Sequence, residues 1–148
     1  MKLNTIICDI DGTLMDISIR VANKKPFVTV AEDLEYYDTD TPKKPVVEVI
    51  KAFMDKGYFI QFMSGRTEIG REVTMNQIEN ALGIRYSTYS LLMRADGDYR
   101  PDSEVKSNML DFIAPHTDVL FVLDDRDSVV KFWRSKGLTC FQVAEGNF

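Results

Sequence analysis

Lys2-Leu-Asn-Thr-Ile-Ile-Cys8 runs without a break into Asp9-Ile-Asp-Gly-Thr13. The first seven residues are a short, β-rich apolar run, and the glycine turn stops it, so the junction predicts a buried strand ending on two carboxylates. The same pattern recurs along the chain. Tyr58 to Met63 leads into Ser64-Gly65-Arg66-Thr67, and Val119 to Leu123 leads into Asp124-Asp125. Tyr89 to Met93 is a weaker run of the same kind, and Leu138 to Val143 reads as a last strand.

Helical spacing fills the gaps between these runs. Pro45 to Lys56 carries apolar residues at helical intervals and closes on Gly57, where a helix C-terminus favours glycine. Further helices are predicted from about Glu68 to Leu82 before Gly83, from Asp102 or Ser103 to Ile113 before Pro115, and from about Arg126 to Lys136 before Gly137. The order β-α-β-α-β-α-β-α-β predicts an α/β fold: a mostly parallel sheet with helices on both faces and right-handed crossovers. Such sheets bind ligands at the C-terminal ends of their strands. Asp9, Asp11, Ser64, Arg66, Asp124 and Asp125 all follow apolar runs and should meet in one crevice. Only Met15 to Lys44 lacks clear periodicity, and it is read as an insert over about residues 15–44 of one domain spanning 1–148.

With 148 residues, 45% of them hydrophobic and 28% charged, the chain reads as a globular protein with one core. No apolar run approaches the roughly 20 residues of a membrane span, so no membrane partner is expected and the cytoplasm is the default compartment. Cys8 and Cys140, the two cysteines, sit inside apolar runs and read as core thiols. A net charge of -5 argues against holding nucleic acid by a broad basic surface, so any such contact must be local.

Asp9 and Asp11 lie two apart at a strand end, which aims both carboxylates at one site while Ile10 turns to the core. Two anions that close require a cation, and Mg²⁺ is a hard ion held by one or two carboxylates together with phosphate and water. One carboxylate could then attack phosphorus while a second, its pKa raised by its neighbour, serves as acid and base. A solvated turn is the bland alternative for this stretch. Ser64-Gly65-Arg66 is expected between a strand and a helix N-terminus, a place suited to phosphate, with the Arg66 guanidinium gripping two phosphate oxygens, although a Ser N-cap beside a surface Arg has the same pattern. Asp124-Asp125 would be costly after five apolar residues without a cation. Lys106 taken alone reads as a solvated helix lysine.

Taken jointly and in order, Asp9-x-Asp11-Gly-Thr13, Ser64, Lys106 and Asp124-Asp125 resemble the haloacid dehalogenase superfamily of phosphotransferases. The resemblance implies a Rossmann-like three-layer sandwich. It also implies Asp9 as nucleophile, Asp11 as acid and base, Thr13, Ser64, Gly65 and Lys106 around the phosphate, and Mg²⁺ on Asp9, the Asp11 carbonyl and Asp124, with Asp125 behind. A closer similarity runs through Arg20, Tyr37-Asp-Thr-Asp40, Ser64-Gly-Arg66, Arg94, Gly97-Asp98, Arg100, Asp102, Lys106, Ile113-Ala-Pro-His116, Asp124-Asp-Arg126, Trp133-Arg134 and Gln142-Val-Ala-x-Gly146-x-Phe148. These look like the phosphatase half of phage polynucleotide kinase/3'-phosphatase, a family that removes 3'-terminal phosphate from DNA or RNA ends. By that likeness Arg20, Arg66, Asp102 and Asp125 join the catalytic set and Arg94 becomes a substrate contact.

The chain contains no Gly-x-x-x-x-Gly-Lys-Ser/Thr loop, so a kinase or ligase partner would be separate. About 30 residues between the first two motifs leave room for only a minimal cap, hence a site open to a polymer end. Arg20, Lys24, Lys25, Lys43, Lys44, Arg94 and Arg100 are candidates for a local basic rim, and Tyr36, Tyr37 and Tyr99 for base stacking, with half-buried packing as the bland reading of the tyrosines. A small-molecule nucleotidase and a silent module that only binds ends are the alternatives. Intact Asp9 and Asp11 count against the silent module.

Overall fold

A computed structural model of the chain describes residues 1–24 and 34–148. Five parallel strands form its central sheet: β1 (Leu3–Cys8), β4 (Phe59–Thr67), β5 (Ser90–Arg94), β6 (Thr117–Asp124) and β7 (Cys140–Gln142), in the order β5-β4-β1-β6-β7. Alternation along β1 explains the layers, because Ile6 and Cys8 face one side and Ile7 the other. The first side packs against α2 (Lys44–Asp55) through Val46, Val47 and Ile50, and against α3 (Arg71–Leu82) through Ile78 and Leu82. The second packs against α4 (Asp102–Ile113) through Val105, Met109 and Ile113, and against α5 (Asp127–Ser135) through Val129, Val130 and Trp133. Burial at every fourth residue of α4 is the stripe that one helix face presents to a sheet. With both sheet faces covered, the β1 and β6 cores must be continuous apolar runs, as they are.

The chain leaves β1 for β4 and β5 on one side, then returns to β6 and β7 on the other. That reversal opens a crevice between the C-terminal ends of β1 and β6, from which Asp9 and Asp124 emerge. Residues 15–44 contribute β2 (Met15–Asp16), α1 (Ser18–Ala22), a 3-10 turn (Glu35–Thr39) and β3 (Thr41–Pro42), with β2 and β3 paired antiparallel. Lys25 lies outside the described residues.

One local expectation is corrected. β4 does not stop at Met63 but continues through Ser64, Gly65 and Arg66 to Thr67, and α3 begins only at Arg71 after a 3-10 turn. Ser64-Gly65-Arg66 is therefore strand backbone with a register shift against β5 between Ser64 and Thr67, and no helix N-terminus is presented there.

Candidate active site

Lys106 is the centre of the acidic group at the crevice. Its ammonium is buried and donates to Asp9 Oδ1 and to Asp124 Oδ2, each at 2.8 Å. Burial alone would lower the lysine's pKa, but Asp9 and Asp124 more than reverse that, so it stays charged. Asp124 is held from every side. Oδ2 also accepts the indole N–H of Trp133 at 3.2 Å, and Oδ1 accepts the backbone N–H groups of Asp125 and Arg126 at 2.8 and 3.4 Å. Thr13 donates to Asp9 Oδ2 at 3.0 Å, with Asp125 Oδ1 at 3.4 Å, so this hydroxyl orients the acids.

Carboxylate oxygens of Asp9, Asp124 and Asp125 lie within 4.8 Å of one another. Three carboxylates around one ammonium leave a formal charge of -2. Burial, then the charge of Asp124, pushes the Asp9 and Asp125 carboxyls above the usual carboxylate range. An all-oxygen donor set with that net charge fits a hard divalent cation. Asp124 already accepts four protein donors, so Asp9 and Asp125 hold the greater free capacity. The Asp11 side chain stays outside this group.

Asp11 belongs to a second ionic cluster. Its Oδ1 accepts from Arg20 Nη2 at 2.7 Å and from Arg66 Nε and Nη2 at 2.9 and 2.6 Å. Burial would raise this carboxyl, but Arg66 and then Arg20 bring it below the usual range. That reverses the raised pKa expected from Asp9 alone. Beneath the two guanidiniums lies Asp40, for which no local sequence signal gives a role. Asp40 accepts from Arg20 Nε at 3.0 Å and Nη2 at 3.3 Å, from Arg66 Nη2 at 3.1 Å and from Gln77 Nε2 at 3.3 Å. Arg66 Nη1 donates to Thr74 and Gln77 at 3.0 and 2.6 Å, completing its donors. Both guanidiniums also stack on the Tyr37 ring at 4.3 and 4.4 Å, so Tyr37 is buried packing rather than a base platform.

A third group lies across the cleft. A Cβ on Gly65 would sit 2.5 Å from Asp102 Oδ1, so only glycine permits that approach. Arg94, expected at the substrate, turns inward. It donates to the carbonyls of Gly65, Asp98 and Arg100 at 2.9, 3.0 and 2.6 Å, and to the Asp102 carboxylate. Ser64 is buried, its Oγ accepting the Arg66 N–H at 3.0 Å. Lys43 donates to the Gly12 carbonyl at 3.0 Å, while Lys24 and Lys44 are exposed. Arg100 is paired with Asp98. Tyr36 is half-buried, and Tyr99 is exposed beside a groove of about 500 Å³ that shares Gly65 with the acidic cleft. That cleft measures about 200 Å³ and is lined by Asp9, Asp11, Asp102, Lys106 and Asp125, together with Arg126 and Phe148, which had no assigned place in it. Arg126 was signalled only by following Asp125.

Paired aspartates at the ends of β1 and β6 on this sheet define a haloacid dehalogenase-like phosphatase domain. A phosphoserine phosphatase in a phospho-aspartyl intermediate analogue shares the fold at TM-score 0.62 and 16% identity, over 98% of this chain and 88% of that one. Residues 3–148 match the family described as the polynucleotide kinase PNKP phosphatase domain, and the chain belongs to that family. A solved chain of the Pnkp1/Rnl/Hen1 RNA repair complex is 34% identical, with TM-score 0.79, over 99% of this chain and 44% of that one. A candidate bifunctional polynucleotide kinase/RNA ligase of Autographa californica nuclear polyhedrosis virus is 31% identical over 144 residues, 93% of this chain and 19% of the relative. The chain thus spans less than half the length of either relative. No helix among the described residues is long and apolar enough to cross a membrane.

Proposed function

We propose that this chain is a Mg²⁺-dependent polynucleotide 3'-phosphatase that removes the terminal phosphate from DNA or RNA ends through an aspartyl-phosphate on Asp9. One observation carries the reading: a buried lysine bridges two of three clustered carboxylates at the floor of an open cleft, in a chain of this family. Asp9 attacks the phosphorus with a carboxylate oxygen, and the bond to the 3' oxygen breaks. Asp11 gives its proton to that oxygen. The two guanidiniums favour ionised Asp11 in the free protein, and the negative charge of an arriving phosphate opposes them and favours the protonated form. A water then attacks the phosphorus, its proton passes to Asp11, and the Asp9–phosphorus bond breaks to free phosphate and the carboxylate.

Lys106 holds Asp9 in position and presents its charge to the phosphoryl oxygens, with Ser64 and the Gly65 backbone beside them. Asp102, braced by Arg94 and by Arg126 at 3.3 Å, borders the same space. Mg²⁺, held by Asp9 and Asp125 with Asp124 beside them, would neutralise the acid cluster and the transferring phosphoryl group. The repair complex among the structural relatives supports RNA end repair, and the viral kinase/ligase relative supports a kinase or ligase activity beside it; the compartment we propose for that work is the cytoplasm. Phosphate release from matched oligonucleotides phosphorylated at the 3' or the 5' end, with Mg²⁺ and a 3'-mononucleotide control, tests the proposal. Selective 3' release is expected, and release from the mononucleotide alone would replace the reading with a small-molecule nucleotidase.

A further inference from the structure

Among the ionic groups that line the acidic cleft, Ile17 and Phe148 are the large apolar side chains. Phe148 is 69% exposed, which for a single surface phenylalanine needs no explanation. Its setting does. Gly146 lies so close to the turn after β6 that an added Cβ would stand 1.8 Å from the Asp125 carbonyl oxygen and 2.6 Å from Arg126 Cα. The Gly146 carbonyl accepts the N–H groups of Asp127 and Phe148, each at 2.9 Å, and Gln142 donates to the Asp125 carbonyl at 3.0 Å. The segment that carries Phe148 is thus built onto the backbone of the acid cluster. Arg126 braces the ring itself, its guanidinium 4.8 Å from the ring centroid while it pairs with Asp102 at 3.3 Å. The result is an aromatic ring positioned at the cleft and left open to solvent.

The cleft volume says what the ring is for. About 200 Å³ falls below the roughly 300–1,000 Å³ of pockets that enclose a drug-sized ligand, so a phosphoryl group can enter while the nucleoside that carries it must remain at the rim. The flat, apolar part of that nucleoside is its base. We infer that Phe148 is the platform on which the base of the 3'-terminal nucleotide stacks. This inference rests on the 3'-phosphatase reading and adds to it a specificity-determining residue. Stacking tolerates any base, because every base has a π face, so the platform selects for a base rather than for a sequence.

The test compares kcat/KM on two 3'-phosphorylated oligonucleotides, one ending in an ordinary nucleotide and one in a base-less tetrahydrofuran residue. The probes are wild type, Phe148→Ala and Phe148→Trp with Mg²⁺. Wild type should prefer the base-bearing end by about 5- to 160-fold, the range that loss of one base–aromatic stack produces. Phe148→Ala should bring the ratio close to one, and Phe148→Trp should preserve it. The ratio is insensitive to a general loss of folded protein. Turnover without a base preference in wild type, or an unchanged preference in Phe148→Ala, would overturn the stacking role alone. No wild-type turnover on any 3'-phosphorylated oligonucleotide would overturn the parent reading with it.

Discussion

Replacing Asp40 by Asn tests the ionic cluster under Asp11. The Asp40 side chain is fully buried and takes four hydrogen bonds, three of them from guanidinium N–H groups. Two arginines and two aspartates make the cluster neutral, and Asn leaves it with one net buried positive charge. The amide also turns an N–H₂ group toward donors. Hydrogen bonds to charged groups contribute about 1.5–3 kcal/mol each, but they act as one unit here and the remaining carbonyl keeps part of them. Breaking a buried pair by removing one partner costs about 3–5 kcal/mol, and that is the expected loss. With a urea m-value near 2 kcal/mol/M, the midpoint should fall by about 2 M at unchanged m. Turnover should fall as well, since Arg20 and Arg66 lose the anchor that aims them at Asp11. A midpoint shift below about 0.5 M would refute the view that Asp40 neutralises and holds the two guanidiniums.

Three further outcomes follow from other contacts. Asp9→Asn should fold and lose turnover, and the rise in Tm that saturating Mg²⁺ gives wild type, several degrees at a hundredfold excess over Kd, should shrink in this variant; an equal rise in both would place the cation elsewhere. Gly146→Ala drives a methyl group into the Asp125–Arg126 backbone and should cost about 1–3 kcal/mol in urea unfolding together with a clear drop in kcat, whereas wild-type kcat would show that the tail does not support the acid turn. Burial pushes the Cys140 thiol up to about 12 and the Cys8 thiol well above its ordinary value, so at pH 8 only about one Cys140 in ten thousand is thiolate. Neither cysteine should react with iodoacetamide until urea unfolds the chain, and rapid labelling of the folded protein would contradict their burial.

The clustered acids are legible because each follows an apolar run, whereas Lys106 has no such signal and is singled out only by the family resemblance. Asp9, Asp124 and Asp125 meet as the strand pattern requires, and Lys106 reaches them from α4. What escaped comes from long-range geometry. Asp11 was expected to be raised by Asp9, but arginines 9 and 55 residues away settle its charge state, and no local signal reports them. Asp40 and Gln77 were silent because their role exists only once Arg20 and Arg66 are brought over them. The resemblance and its charge both point Arg94 at the substrate, and neither reports that its donors are engaged by the carbonyls of Gly65, Asp98 and Arg100 and by Asp102. The extension of β4 through Ser64-Gly65-Arg66 is hidden because Ser and Gly there resemble a turn, while β4 pairs with β5 at Ser64 and again at Thr67, across a register shift that spans Gly65 and Arg66. Helix ends were easier to place, since Gly57 and Gly83 adopt φ of 91° and 66°, values that glycine accepts without strain.

Phosphate release from one oligonucleotide sequence, phosphorylated at its 3' or its 5' end and incubated with Mg²⁺ and the unaltered protein, addresses the central claim directly. The account predicts release from the 3' end, none from the 5' end, and none from either when Asp9 is replaced by Asn. Equal release from both ends, or release that survives Asp9→Asn, would contradict it.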